Sequence, residues 1–298
     1  PVDPGGAPWP IIIYSSSGVM TANVFLFEEL ASHGYVVLSV GHPYWCEFYF
    51  DDDGELFFFD KSNKYYTEMW KEEDSELTKE TKEQITRSTQ GAEKLANYRE
   101  LNRIMPTEVA DLLLWQEDIE FLIDRLIEMS EKEGRYHGRL DADRIGIMGY
   151  SKGGALAGQV CATSDRVRAG ANLDGFMFGG VVDNDLKKPF MILGQVVSWC
   201  QECPPINLPF FERARADAYM VEIKNANHAT FTDLPLLREY ILPDGILTSL
   251  DGETSASIIE SYVLAFFDTY VKDRERAPIL DEVPSRFEDV KVAVRRQP

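Results

Sequence analysis

The pentapeptide GYSKG at residues 149–153 has the spacing of a serine nucleophile motif. A predicted strand, 144–149, leads directly into it, and a predicted helix rich in small residues, 153–161, follows. A serine held on a strained turn between a strand and a helix needs small neighbours, and the helix N-terminus favours negative charge beside it. This context predicts that Ser151 is a nucleophile.

A serine hydroxyl of ordinary pKa needs a general base, and the sequence contains 4 His. His228 follows the last predicted core strand, 218–223, where the base of such a site is found, and we predict that it is the base. His42 follows a strand end and is expected to have a structural hydrogen-bonding role. His33 is assigned to a helix end and His137 to a polar loop.

The third member of such a site is a carboxylate between the serine and the histidine in chain order. Asp174 directly follows the predicted strand 169–173, and the carboxyl end of a strand faces the crevice of a parallel sheet. No carboxylate follows the next strand, 190–193, until Glu202. Asp174 is therefore predicted as the acid, with Glu202 and Asp185 as reserves.

Two backbone N–H groups are needed to stabilise the oxyanion of acyl transfer. We assign one to Lys152, directly after the nucleophile, and the other to Ser17, in the loop after the first predicted strand. The Lys152 side chain is expected to face solvent. The residues that follow the predicted acid are expected to line an apolar substrate pocket: Phe176, Met177 and Phe178.

Short apolar runs alternate with amphipathic stretches along the chain. Strands are predicted at 11–14, 35–40, 144–149, 169–173, 190–193 and 218–223, and helices at 24–33, 107–130, 153–161 and 254–272. This alternation favours an α/β fold, with a mostly parallel central sheet flanked by helices in a single domain, 1–298.

The sequences at the two ends of the chain lead to predictions about the edges of that sheet. Only a short, proline-rich segment precedes the first predicted strand, so we expect the usual antiparallel strands before it to be missing or trimmed away. Val290, Val292 and Val294 alternate with other residues, which predicts that 289–295 adds an edge strand to this sheet or to a partner's sheet.

Residues 46–106 depart from this pattern. They are rich in charge and net acidic, with aromatic residues spread among them. The turn residues 51–54 predict a hairpin, and 68–103 is expected to be helical and polar. An insertion of this length is typical of a lid or cap over a site, and the alternative is a solvated excursion packed on the rim.

Composition and charge limit the classes of function. The formal net charge of −20 makes nucleic acid and anionic lipid unfavourable partners, and no apolar run is long enough to span a membrane. No cofactor or metal is expected. Cys200 and Cys203 are not accompanied by the second cysteine pair that a zinc site of this kind needs. The two cysteines are expected either to form a disulfide with each other or to remain free thiols. Asp51–Asp53 does not fit a calcium loop and is expected to be a solvated turn.

Several segments together resemble the platelet-activating factor acetylhydrolase branch of the α/β-hydrolases. The resemblance spans about residues 10–275 and is carried by the nucleophile motif 148–155, the acid motif 173–178 and the histidine motif 227–233. The early position of the acid is its most specific element. The sequence departs from the family in 15–17, where three serines replace Ser-His-Gly.

The resemblance implies an α/β-hydrolase fold with a lid-like insertion and a serine hydrolase of short-acyl esters, whether phospholipids, small esters or polyesters. The expected substrate is a small-molecule ester. An amidase or peptidase of the same fold, or a catalytically silent binding protein, stays open, as does a homodimer. Because the chain starts at Pro1 without Met, export after N-terminal processing and a trimmed chain are both expectations to consider.

Overall fold

The computed structural model describes residues 7–297 apart from 19, 44, 47, 52, 61, 63, 133, 198–202 and 238–249. Its central feature is a sheet of seven strands in the order β2-β1-β5-β6-β7-β8-β9. The strands are β1 (Trp9–Ser16), β2 (Val36–Val40), β5 (Leu140–Tyr150), β6 (Ala169–Leu173), β7 (Phe190–Gln195), β8 (Ala218–Ile223) and β9 (Val290–Arg295). The predicted parallel α/β fold is confirmed.

Six neighbouring strands are parallel, and only the last pair differs. β9 pairs antiparallel with β8, from Ala218 opposite Arg295 to Ile223 opposite Val290. The predicted C-terminal edge strand is therefore confirmed, and it extends this sheet. The parallel strands all deliver their carboxyl ends to the same edge, where a crevice forms in folds of this class.

Helices cover both faces of the sheet. They are α1 (Val24–Ser32), α2 (Lys64–Glu73), α3 (Glu76–Arg87), α4 (Gly91–Ile104), α5 (Pro106–Glu131), α6 (Lys152–Thr163), α7 (Leu208–Arg213) and α8 (Gly252–Tyr270). α5 and α6 bury apolar side chains against one face, and α1 and α8 against the other. The central strands, such as β1, β6 and β8, are thus buried on both faces, which explains why they are continuous apolar runs.

The insertion between β2 and α5 consists of a hairpin and three helices. β3 (Phe48–Phe50) pairs antiparallel with β4 (Leu56–Phe58), which confirms the predicted hairpin turn. The predicted helical stretch 68–103 is present as α2, α3 and α4. One face of the hairpin carries Phe50 and Phe58, which are 63% and 70% exposed.

The carboxylate of Glu72, on α2, attaches the insertion to the core. It accepts hydrogen bonds from the backbone N–H groups of Thr107 and Glu108 and from the hydroxyl of Thr107, at the start of α5. Such bonds satisfy N–H groups that have no partner within the helix. The start of α5 is therefore fixed by a residue of the insertion.

The cysteines fall into two groups. Cys46 and Cys161 are free and buried. Cys203 forms a disulfide, whereas Cys200 and Glu202 lie outside the described residues. None of the described helices is long and apolar enough to cross a membrane.

Candidate active site

Ser151 lies on a sharp turn between β5 and α6. Its backbone is left-handed, with φ at 58°, and its N–H donates to the Leu173 carbonyl at 3.0 Å. A Cβ on Gly149 would lie 2.2 Å from the Gly153 backbone, and one on Gly153 would lie 1.9 Å from the Ser15 carbonyl oxygen. The turn therefore requires glycine on both sides, as the motif predicts.

Asp174 follows β6 directly, also with a left-handed backbone at φ 56°. The turn is held by Asn172, which accepts from the Gly175 N–H and donates to the Gly175 carbonyl. This geometry turns the carboxylate toward His228, whose Nδ1 lies 2.8 Å from Asp174 Oδ2. The structure thus brings the predicted acid and base into direct hydrogen-bonding contact.

Gln195, at the end of β7, is a partner of Asp174 that the sequence analysis missed. Its backbone N–H donates to Oδ1 at 3.0 Å, and its side-chain Nε2 donates to Oδ2 at 2.9 Å. With His228, these bonds give the Asp174 carboxylate three donors. The sequence signal that could have indicated this role is the position of Gln195, a polar residue at the end of a predicted core strand that no carboxylate follows directly.

His228 opens a short 3-10 helix, His228–Phe231, after β8. Asn227 caps this helix by accepting from the Thr230 N–H. The Tyr150 ring stacks on the imidazole, with centroids 4.5 Å apart, and the Tyr150 hydroxyl donates to the His228 carbonyl. The contact with Asp174 engages Nδ1 of the ring, and the His228 side chain is 49% exposed.

A cavity of about 690 Å³ opens at this edge of the sheet. Ser151, Asp174 and His228 all line it, together with Ser17 and Lys152. The rest of the wall is mainly apolar and comes largely from the insertion and the loop after Asp174: Trp45, Phe59, Tyr66, Met69, Trp70, Leu101, Met105, Phe176, Phe178 and Ile206. Its volume falls in the usual range for a small-molecule site.

Ser17 lies on the bend just after β1, exposed at the cavity. The close approach of Gly153 to the Ser15 carbonyl brings this bend against the start of α6. The predicted donors at Ser17 and Lys152 therefore border the same cavity as Ser151.

The expected solvent-facing position of the Lys152 side chain is wrong. It is only 8% exposed, and its ammonium lies 2.6 Å from Glu108 Oε2 and in contact with Asp111 Oδ2. The indole rings of Trp45 and Trp115 cover it at 4.3 and 4.6 Å. The two carboxylates of α5 compensate the charge and make burial possible.

The expected position of Met177 in the pocket is also wrong, whereas Phe176 and Phe178 do line the cavity. Met177 is fully buried, and its sulfur lies 3.1 Å from Asn172 Nδ2. Met177 therefore packs into the core, although the residues on both sides of it line the cavity.

The other histidines lie elsewhere. His42 is buried, contacts Ser15 Oγ and Asp118, and stacks on Trp115 with centroids 4.0 Å apart, so its predicted structural role is confirmed. His33 ends α1, as predicted, and His137 contacts the carbonyl of Glu131, the last residue of α5.

Of the two reserve acids, Asp185 is described and does not line this cavity, whereas Glu202 lies outside the described residues. Asp185 forms ion pairs with Arg213 and Arg215. Within the part of the chain that the structure describes, no three His, Cys, Asp or Glu side chains are grouped to hold a metal ion.

The charges around the cavity are mostly paired. Lys82 contacts Glu73, and Lys152 contacts Glu108. Burial raises the pKa of the Glu108 carboxyl, an effect that the Lys152 ammonium opposes. Including Asp174, carboxylates outnumber lysines among the described residues of the wall.

A parallel sheet with a serine on a left-handed strand-to-helix turn, and a strand-end aspartate bonded to a histidine, defines an α/β-hydrolase fold. The chain belongs to the family described as platelet-activating factor acetylhydrolase, isoform II, whose sequence model matches residues 1–277. The resemblance inferred from the motifs is thus confirmed.

Individual relatives support this assignment at low sequence identity. The chain is 26% identical to platelet-activating factor acetylhydrolase of Bos taurus over 264 residues, which cover 85% of this chain and 54% of the relative. It is 26% identical to the platelet-activating factor acetylhydrolase of Cavia porcellus over 278 residues, which cover 89% of this chain and 58% of the relative. The chain therefore spans little more than half the length of these relatives.

A solved structure shares the fold. The ferulic acid esterase from Streptomyces cinnamoneus superposes with a TM-score of 0.69 at 24% sequence identity, covering 98% of this chain and 75% of that one.

Proposed function

We propose that this protein is a serine carboxylic-ester hydrolase that works through a Ser151-His228-Asp174 triad and an acyl-enzyme intermediate. The observation that carries the proposal is the 2.8 Å hydrogen bond between His228 Nδ1 and Asp174, at a cavity that Ser151 also lines. Family membership and the fold support the same activity.

In this mechanism Ser151 Oγ attacks the ester carbonyl carbon while His228 Nε2 accepts the hydroxyl proton. The Asp174 carboxylate holds the imidazole and stabilises the imidazolium that forms. The C–O bond to the alcohol then breaks, and His228 returns the proton to the departing oxygen. Water attacks the acyl-enzyme by the same route and regenerates Ser151.

The oxyanion of each tetrahedral intermediate would accept hydrogen bonds from the backbone N–H groups of Lys152 and Ser17. Lys152 is the first residue of α6, so its N–H has no partner within the helix and adds to the positive end of the helix dipole. Ser17 belongs to the bend that packs against this helix start.

The proposed substrates are short-acyl esters without a free negative charge. Phe176 and Phe178 would form an apolar wall for the acyl group, and the remaining volume, faced by insertion aromatics, would hold the alcohol portion. Anionic substrates are disfavoured because carboxylates outnumber lysines around the cavity and the chain carries a net charge of −20.

We further propose that the insertion, 46–106, is the cap of a single catalytic domain. Its residues Phe59, Tyr66 and Trp70 face the cavity, while Phe50 and Phe58 of the hairpin face outward. A cap of this kind excludes water from the reacting ester.

A fluorophosphonate probe tests the assignment. We expect covalent labelling at Ser151, and no labelling in the Ser151→Ala variant, which should remain folded. Absence of labelling in the wild type would favour a silent binding protein. Faster turnover of p-nitroanilides than of matched p-nitrophenyl esters would favour the amidase.

Substrate length and charge need a separate measurement. We expect turnover of p-nitrophenyl esters to peak at short chains across a series from two to twelve carbons. A monoester of a dicarboxylic acid should be a poorer substrate than its neutral counterpart. A peak at the long chains, or preference for the anionic ester, would contradict the proposed specificity.

A further inference from the structure

Among the described residues, the groups that contact the Lys152 side chain all lie outside its own helix. Its ammonium contacts Glu108 and Asp111, both near the start of α5, and lies 3.9 Å from the sulfur of Met69 on α2. Lys152, the residue directly after Ser151, therefore links the start of α6 to α5 and to the insertion.

The contacts also include a tryptophan that directly precedes the insertion. Trp45 covers the ammonium with its ring and donates from Nε1 to Asp111 Oδ1 at 2.7 Å. Asp111 thus binds Lys152 with one oxygen and Trp45 with the other. Glu72 of α2, which caps the start of α5, fixes the same helix from a second point.

Two contributions to the free energy of folding oppose this position of the lysine. A cation at the first position of a helix is disfavoured by the helix dipole, and burying an ammonium removes its hydration. Binding a substrate anion would require a free ammonium, whereas this one already faces two carboxylates. Since the ammonium is not available to a substrate anion, the contacts act instead on the main chain, which they fix at the start of α6.

We propose that Lys152 is a positioning residue: its anchored side chain holds the backbone N–H that serves the oxyanion and couples its position to α5 and the insertion. This inference rests on the proposed ester hydrolysis.

The test compares Lys152→Met with the triple variant Lys152→Met/Glu108→Gln/Asp111→Asn, using p-nitrophenyl acetate. The single variant leaves two buried carboxylates uncompensated, so its thermal midpoint should fall. The triple variant removes that charge imbalance and should recover the midpoint. Because the anchor is absent in both, we expect kcat to stay about 10- to 100-fold below wild type, with KM within about threefold.

Lys94→Met is the matched control. Lys94 is a buried lysine of the insertion whose ammonium donates to the carbonyls of Ile85 and Thr86, away from the cavity. Its loss should lower the thermal midpoint and leave kcat unchanged. This separates the loss of a buried ammonium from the loss of the anchor.

Recovery of wild-type kcat in the triple variant, or an equal loss of kcat in Lys94→Met, would overturn the proposal by showing a merely structural role. Failure of the proposed function has a different signature, since Ser151→Ala would then retain activity or the wild type would show none. A folded triple variant with slow turnover and ordinary KM would support the positioning role.

Discussion

Gln195 donates two hydrogen bonds to the Asp174 carboxylate, from its backbone N–H at 3.0 Å and from its side-chain amide at 2.9 Å. The side-chain bond reaches Oδ2, the same oxygen that contacts His228. The end of β7 therefore supplies a clamp for an acid that stands at the end of β6.

Gln195→Ala should lower kcat/KM about 10-fold, because a hydrogen bond to a charged carboxylate is lost while the backbone bond remains. Steady-state kinetics on a short p-nitrophenyl ester measures the effect. Gln116→Ala is the control, since Gln116 bonds Gln159 and Thr163 away from the cavity. Equal rates for wild type and Gln195→Ala would show that the clamp does not support catalysis.

Asp174→Asn should reduce kcat about 10⁴-fold, the loss typical of a triad acid whose histidine is left in the wrong tautomer. Asp185→Asn, which alters an aspartate paired with Arg213 and Arg215, should retain nearly full kcat. The two variants are compared after their folding has been checked by circular dichroism. A small effect of Asp174→Asn would exclude this residue as the acid.

Glu222→Gln should make stability less dependent on pH. Burial raises the pKa of Glu222 to about 7, although Lys291 and Lys94 oppose the rise. A raised folded-state pKa gives a contribution that is present below the unfolded value of 4.5 and is lost as the pH rises through about 7. The variant should therefore match the wild type near pH 4.5 and be more stable at pH 8, by at most about 3 kcal/mol.

Urea unfolding at both pH values measures this difference. Glu275→Gln, at an exposed position, is the control for removing one carboxylate from the surface. An identical difference at the two pH values for Glu222→Gln would contradict the expected titration.

Gly153→Ala should destabilise the fold by several kcal/mol, because the new Cβ would lie 1.9 Å from the Ser15 carbonyl oxygen, which belongs to the backbone. Urea unfolding monitored by tryptophan fluorescence gives the free energy. Gly194→Ala is the matched substitution, since its Cβ would lie 3.6 Å from the nearest atom, Asp174 Oδ1. Similar stabilities for the two variants would mean that the turn accommodates a side chain.

The sequence alone determined the fold class, the strand ends and the residues that meet at them. Parallel strands with two buried faces are apolar runs, and a nucleophile turn requires Gly149 and Gly153 whatever surrounds it. The carboxyl ends of parallel strands share one edge of the sheet, so placing Asp174 and His228 after strands was enough to expect them close together.

Only the tertiary structure decided what surrounds these residues. Lys152 looked like a surface residue because its compensating carboxylates, Glu108 and Asp111, lie more than forty positions earlier in the chain. Gln195 is one glutamine among several until β7 places it beside Asp174. Such contacts depend on how distant segments pack, and no local periodicity encodes which side chains a buried charge will meet.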